Sequence, residues 1–159
     1  MAYNPSIFVV DLDGTIADQT HRVGYVLNKQ WDEYHSQSKY DLPFPEIVEF
    51  LKRFNQSVPH GFASRLEFIC LTGRNAKFRA QTLEWLRRYE IEPDELLMRP
   101  DGDFTPDHKL KPTMLANYLE VNLDHLKEEV LFVMEDRERV VEAWRNLGVP
   151  CWQVRQGAF

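Results

Sequence analysis

Five short apolar runs, each stopped by polar or charged residues, constrain this chain's fold more than any other feature. The first, Ile7-Phe8-Val9-Val10, leads straight into Asp11-Leu12-Asp13-Gly14-Thr15. A run this short, rich in β-branched and aromatic residues, reads as a buried strand. Phe68–Leu71, Glu95–Met98, Val130–Met134 and Cys151–Val154 are four further strand candidates. Helical periodicity fills the gaps between them. Ile47, Val48, Phe50, Leu51 and Phe54 share one helical face, with Pro43 and Pro45 near its start. Phe78, Leu83, Leu86 and Tyr89 mark a second helix, ending near Pro93. Met114, Leu115, Tyr118, Leu119 and Leu123 mark a third, with Pro112 in its first turn. Val140, Val141, Trp144 and Leu147 mark a fourth, and Gly148 suits its C-terminal cap. Strands alternating with helices predict an α/β domain: a mostly parallel sheet with helices on both faces.

With 159 residues, the chain suits a single domain spanning 1–159, with a small insert at about residues 17–43. That insert is too short for a separate cap domain and shows weak helical character around Val23–Tyr34, so an open site with a minimal cap is expected. The net charge of −6 argues against broad affinity for nucleic-acid backbones, although a local phosphate pocket remains compatible with it. Cys70 and Cys151 sit in strand-like segments without metal-ligand spacing and read as reduced core residues. No apolar stretch is long enough to span a membrane, and Met1–Pro5 does not open a secretory signal, so a cytoplasmic location is expected.

In an open parallel sheet, ligands bind beyond the carboxyl ends of the strands. Residues just after each apolar run are therefore the candidates for chemistry. Two carboxylates, Asp11 and Asp13, follow the first run, where a turn can expose both to solvent. Unpaired at a sheet end, they repel each other, and a divalent cation relieves the repulsion. Asp11 is the candidate nucleophile: attack on phosphorus gives an aspartyl-phosphate and divides one hard displacement into two easier ones. Asp13 is placed to protonate the leaving oxygen and later to activate water, which calls for a raised pKa. Gly14 permits the tight turn and Thr15 fixes it. Thr72-Gly73-Arg74 follows the second run and offers a hydroxyl, loop N–H groups and a bidentate fork for phosphate oxygens. Alone, such a triplet reads equally as a turn with a solvated arginine. In Asp107-His108-Lys109-Leu110-Lys111, both Lys109 and Lys111 are candidates to neutralise nucleophile and phosphate. Glu135-Asp136-Arg137 follows the fourth run. Mg²⁺ takes few protein oxygens, and one carboxylate of this pair, Asp11 and the Asp13 carbonyl would suffice. Acid pair, hydroxyl, lysine and acid pair each follow a different strand, an order that chance matches to short patterns do not produce.

These motifs resemble the haloacid dehalogenase (HAD) superfamily, whose phosphatases carry DxDxT, Ser/Thr, Lys and paired acids on a Rossmann-like sheet. Asp11-Leu12-Asp13-Gly14-Thr15 with Arg22, then Thr72-Gly73-Arg74, then Arg99, Asp107 and Lys111, narrow the match. So do Glu135 to Arg145 and the tail Gly148–Val154 with Gly157 and Phe159. Together they look like the 3′-phosphatase domain of phage polynucleotide kinase-phosphatase, over nearly the whole chain. The resemblance implies Asp11 as nucleophile, Asp13 as general acid/base, and Asp11, Asp13 and Asp136 as holders of Mg²⁺. It implies that Thr72 and Lys111 bind the transferring phosphate, and that Gly73, Arg22, Arg74 and Asp107 complete the site. It favours Lys111 over Lys109 through the spacing from Asp107. Glu135 stands where an aspartate is usual, either as a ligand or behind the ligands, and Thr72 replaces a serine. No GxxxxGK[ST] loop occurs, so the kinase half has no counterpart in this sequence. His21, beside Arg22, reads as a surface or hydrogen-bonded structural residue rather than a catalytic one. Trp31 and Tyr34, three apart, read as packing residues, with nucleobase stacking as the alternative.

The expected activity is Mg²⁺-dependent phosphomonoester hydrolysis on a nucleotide or a 3′-phosphorylated DNA or RNA end, with a separate kinase or ligase acting alongside and the location cytoplasmic in the host if phage-encoded. A 5′-nucleotidase or small-metabolite phosphatase is the first rival. A receiver-like phosphoprotein without turnover is the second, disfavoured because receivers have no counterpart of Asp13.

Overall fold

The computed structural model describes residues 6–57 and 66–157, so Met1–Pro5 and Phe159 lie outside the described residues. In chain order its elements begin with strand β1 (Ile7–Val10), the two-residue strand β2 (Ala17–Asp18), and helices α1 (Val23–Leu27) and α2 (Trp31–Ser36). Then come β3 (Leu42–Pro43), α3 (Pro45–Ser57), β4 (Glu67–Asn75), α4 (Arg79–Arg88) and β5 (Glu95–Arg99). The chain continues through α5 (Asp107–Leu119), α6 (Leu126–Glu129), β6 (Val130–Glu135), α7 (Glu138–Asn146) and β7 (Cys151–Gln153).

Five of the strands form one parallel sheet in the order β5-β4-β1-β6-β7. Alternation along each strand divides the core between the two faces. Phe8, Val10, Phe68, Cys70, Phe132 and Met134 point to one side, where Ile47, Leu51, Trp85 and Leu86 of α3 and α4 cover them. Ile7, Val9, Ile69, Leu71 and Val133 point to the other, beneath Leu115, Val140, Val141 and Trp144 of α5 and α7. Phe8 anchors the first layer, stacked on Phe68 at 4.9 Å and edge-on to Phe54 at 5.0 Å. Both cysteines are buried and free.

Gly148 (φ +78°) ends α7 as expected: its N–H reaches Arg145 O at 2.9 Å, and the Val149 N–H reaches Trp144 O at 3.1 Å, the paired bonds of a Schellman cap. Two expectations need correction. Pro112 lies inside α5 rather than in its first turn, because the helix already starts at Asp107 behind Pro106. The Pro106 carbonyl accepts from Lys109 and Leu110, and Asp107 faces the positive end of the helix. β4 runs through Thr72-Gly73-Arg74 to Asn75, with a register irregularity against β5 between Thr72 and Asn75. That bulged strand end, rather than a loop, carries the triplet.

The insert is a clasp. β2 and β3 pair antiparallel, Ala17 with Pro43 and Asp18 with Leu42, and so bring its two ends together. Between them, 3₁₀ turns at Thr20–Arg22 and Gln37–Tyr40 flank α1 and α2. Gln81 of α4 holds the clasp down, donating to His35 O at 3.0 Å and Ser38 Oγ at 2.8 Å. No helix among the described residues is long and apolar enough to cross a membrane.

Candidate active site

The chain leaves β1 for β4 and β5 on one side, then returns to place β6 and β7 on the other. Such a reversal opens a crevice at the carboxyl ends of the central strands. Asp11 and Asp13 leave β1 there, Thr72 and Arg74 end β4, and Glu135 and Asp136 end β6. Helix α5 delivers Asp107 and Lys111 from one face, four residues apart. The sites anticipated after separate strands therefore converge.

Lys111, fully buried, bridges two carboxylates: its Nζ donates to Asp11 Oδ1 and to Glu135 Oε2, each at 2.6 Å. Burial would lower the lysine pKa, but those two charges outweigh it and keep the ammonium protonated. Lys109 is exposed and stays outside the cluster. The second Asp11 oxygen accepts from Thr15 Oγ1 at 3.2 Å. Neither DxD carboxylate stands open to solvent as the sequence suggested, since Asp11 is buried and the Asp13 side chain is nearly so. Their neutralising partners make that burial tolerable.

Asp11, Glu135 and Asp136 offer oxygens that all lie within 4.8 Å of one another. Their engagement differs. Glu135 has both oxygens occupied, Oε2 by Lys111 and Oε1 by the Asp136 and Arg137 N–H groups. Asp136 has both oxygens buried with no hydrogen-bond partner. Burial, followed by the charges of Asp11 and Glu135, pushes Asp136 up to about 9, and burial with Glu135 pushes Asp11 up to about 7. An all-oxygen cluster with an unpartnered buried carboxylate fits Mg²⁺. Gly14 (φ +85°) makes room for it: a Cβ there would collide with the Asp136 carboxylate and stand 2.9 Å from Gln19 Nε2.

Asp13 points the other way. Arg22 Nη2 donates to its Oδ1 at 2.6 Å and Arg74 Nη2 at 2.5 Å, with Arg74 Nε also within 3.1 Å of both oxygens. Burial alone would raise its pKa, but the Arg22 and Arg74 charges hold it well below the usual carboxylate range. The raised pKa expected of a general acid is thus absent in the protein without substrate. The Asp13 carboxylate is also committed away from the acidic cluster, which leaves only its carbonyl for a metal.

The sequence assigned no role to Asp41, yet it organises this region. Fully buried, it accepts from Arg22 Nε at 2.7 Å and Nη2 at 2.6 Å, from Arg74 Nη2 at 2.9 Å, and contacts His21 Nε2 at 2.9 Å. Its carbonyl accepts from Trp85 Nε1 at 2.8 Å. Two guanidiniums thus face two carboxylates. No local sequence pattern marks Asp41, because Arg22 and Arg74 are brought together only by the fold. Arg74 Nη1 is buried with no partner, a donor left over once Asp13 and Asp41 are served. His21 is hydrogen-bonded to this network and lies apart from the acidic cluster. Tyr34 is buried, packs its ring 4.1 Å from the Arg22 guanidinium and donates its hydroxyl to Gln19.

Thr72 is fully buried, and its Oγ1 accepts the Arg74 N–H at 3.2 Å, fixing the bulged strand end. Asp107 bridges Arg99 and Arg137. Burial would raise its pKa, but the Arg137 charge keeps it below the ordinary value. Its carboxylate lies so close over Gly73 that a Cβ there would meet Asp107 Oδ2 at 2.7 Å. Arg99 also donates to Gly73 O at 3.1 Å. A cleft of about 860 Å³ opens over these groups, bordered by Asp11, Asp13, Gly73, Asp107 and Arg137.

Comparison with known proteins agrees with this geometry. Residues 5–159 match the family model described as the polynucleotide kinase PNKP phosphatase domain. A putative bifunctional polynucleotide kinase/RNA ligase of Autographa californica nuclear polyhedrosis virus is 28% identical over 147 residues, covering 92% of this chain and 19% of that protein. A chain in the structure of the Pnkp1/Rnl/Hen1 RNA repair complex superposes with a TM-score of 0.75 at 31% identity, covering 98% of this chain and 44% of that one. This chain therefore spans less than half the length of either relative. L-2-haloacid dehalogenase from Xanthobacter autotrophicus shares the fold alone, with a TM-score of 0.62 at 12% identity over 92% of this chain and 76% of that one. The chain belongs to the PNKP phosphatase-domain family, phosphoric monoester hydrolases built on the HAD-type Rossmann-like sheet.

Proposed function

We propose that this chain is a Mg²⁺-dependent polynucleotide 3′-phosphatase domain working through an aspartyl-phosphate on Asp11. The observation that carries the reading is the Asp11 carboxylate, held 2.6 Å from Lys111 beside the unpartnered, buried Asp136. Asp11, Asp136 and the Asp13 carbonyl would hold the ion, with Glu135 behind them fixing Lys111 and the strand end. The ion, when bound, offsets charge on the phosphoryl oxygens and on the acidic cluster.

Lys111 and the spare Arg74 N–H supply further positive charge for the phosphoryl oxygens, and Thr72 with Gly73 cradles them. Asp11 attacks phosphorus, the bond to the leaving 3′-oxygen breaks, and that oxygen takes a proton from Asp13. Substrate arrival is what readies Asp13 for this: a phosphate dianion competes for Arg22 and Arg74 and adds negative charge nearby, both of which raise the Asp13 pKa. Once ionised again, Asp13 removes a proton from the water that hydrolyses the aspartyl-phosphate. Asp107, anchored by Arg99 and Arg137, holds the Gly73 backbone in place.

Removal of a 3′-phosphate leaves the hydroxyl that a ligase needs. The kinase/RNA ligase and RNA-repair relatives support a place beside a kinase or ligase, on the same chain or a separate one. The test is phosphate release from a 3′-phosphorylated oligonucleotide, its 5′-phosphorylated counterpart, and 3′- and 5′-mononucleotides, with Mg²⁺ or chelator. Turnover of the 3′-phosphorylated oligonucleotide is expected with Mg²⁺ only, and none from Asp11→Asn, which alters one buried oxygen and leaves the fold intact. Preference for a 5′-mononucleotide, or Asp11→Asn turning over at a comparable rate, would contradict the proposal.

A further inference from the structure

Given a polynucleotide end as substrate, as proposed above, we infer that Trp31 and Phe104 form an aromatic platform on which the nucleobases at the phosphorylated end stack. Both residues border the cleft that holds Asp11 and Asp13, one from the clasp and the other from the segment between β5 and α5. The cleft, about 860 Å³, is the size of sites that bury a whole drug-sized ligand, and a phosphoryl group fills only a small part of it. Something larger than phosphate belongs there.

Phe104 is 90% exposed, an unusual position for an aromatic ring that no described ring contacts. Its exposure is not a loose loop's accident. Arg99 Nη1 donates to the carbonyls on either side of it, Asp103 O at 2.9 Å and Thr105 O at 2.7 Å. The Thr105 N–H donates to Asp103 Oδ1 at 2.8 Å, and the Asp103 N–H to Pro100 O at 3.2 Å. The same arginine holds Asp107 and the Gly73 carbonyl, so the backbone that carries the ring is tied to the phosphate cradle through one side chain. Trp31 opens α2 at 47% exposure, seated edge-on against Tyr34 at 6.1 Å, and Tyr34 in turn lies under Arg22. An arginine of the candidate site thus holds the backbone that carries Phe104, and another packs on the Tyr34 ring that supports Trp31.

Charge along the cleft suits a nucleotide strand despite the acidic whole. Three of the rim carboxylates are engaged: Asp32 by Lys77 at 2.5 Å, Asp101 by Asn75 at 2.9 Å and Asp103 by Thr105, while Glu138 at the start of α7 adds one exposed acid beside Arg139. Arg139 borders the cleft, and its side chain makes no hydrogen bond or ion pair among the described residues. It stands in the first turn of α7, where the helix dipole disfavours a cation, and is available to a backbone phosphate. Exposed aromatic rings beside a free cation are the features that bind single strands without regard to sequence.

The test crosses a ring deletion with a base deletion. Steady-state rates are measured for wild type, Phe104→Ala, Trp31→Ala and Trp31→Phe on a single-stranded 3′-phosphorylated oligonucleotide. The same oligonucleotide with an abasic terminal unit and a small alkyl phosphomonoester are the other two substrates. Wild type is expected to favour the base-bearing end through KM, and each alanine variant to lose roughly 5- to 100-fold in kcat/KM on it. Trp31→Phe recovers most of the loss, and on the abasic end the alanine variants lose little further. Equal wild-type rates on base-bearing and abasic ends, or alanine variants that slow both alike, overturn the platform and leave the 3′-phosphatase reading standing. Hydrolysis of the alkyl ester with neither oligonucleotide accepted overturns both.

Discussion

Asp136→Asn should make the metal-free protein more stable, not less, and should abolish stabilisation by Mg²⁺. Asp136 has two buried oxygens without partners, beside Asp11 and Glu135. Burial and those neighbours push it up to about 9 from 3.8, and burial with Glu135 pushes Asp11 up to about 7. In the metal-free fold near neutral pH, Asp136 therefore keeps a proton that the unfolded chain releases. The native state binds more protons, so stability falls as pH rises from about 4 towards about 9. For Asp136 at pH 7, some three pH units above the unfolded value, the penalty is on the order of 4 kcal/mol. Asparagine carries no such penalty. The gain should be largest at pH 7 to 8 and vanish near pH 4. Mg²⁺ acts oppositely on the parent, adding about 2.7 kcal/mol at a hundredfold excess over its Kd and more as pH rises. Urea unfolding followed by the buried Trp85 and Trp144 reads both effects, in chelator and in Mg²⁺ at pH 5 and pH 8. A variant less stable than the parent in chelator at pH 8, or one that gains as much from Mg²⁺, refutes the reasoning.

Two further substitutions probe the surroundings. Asp41→Ala leaves the buried guanidiniums of Arg22 and Arg74 with Asp13 as sole counter-charge, and should cost about 3–5 kcal/mol in urea unfolding. A loss below about 1 kcal/mol would show that this charge balance contributes little. Gly14→Ala forces a side chain into φ +85° and against the Asp136 carboxylate. It should cost about 1–2 kcal/mol from backbone strain alone and remove the thermal stabilisation by Mg²⁺, so an unchanged Mg²⁺ response would contradict the placement of the ion.

The elements were legible where one local period governed them. Residues 7–10 and 130–134 are apolar because both faces of a central parallel strand are covered, and α7 shows its buried stripe and its glycine cap openly. Boundaries failed where proline misled: Pro112 resembles a helix start, but Pro106 and Asp107 had already begun α5 one turn earlier. That turn matters, because it puts Asp107 and Lys111 on one helical face, and the spacing distinguishes Lys111 from Lys109 only once the helix is known to contain both.

What the sequence determined by itself was the inventory and its order: acidic pair, hydroxyl, lysine and acidic pair, each after a strand. Chain order in an alternating α/β fold already dictates that strand ends gather on one edge, so convergence followed from periodicity. Tertiary structure alone decided the charge state of each group. Asp11 and Asp13 are two residues apart, yet one is pushed up to about 7 and the other held well below the usual carboxylate range. The cause is three-dimensional: burial and then the Glu135 charge from β6 raise Asp11, while Arg22 and Arg74, aligned by Asp41 from across the clasp, grip Asp13. Coulomb interactions act over ångströms between groups up to a hundred positions apart in the chain, and no local pattern records them.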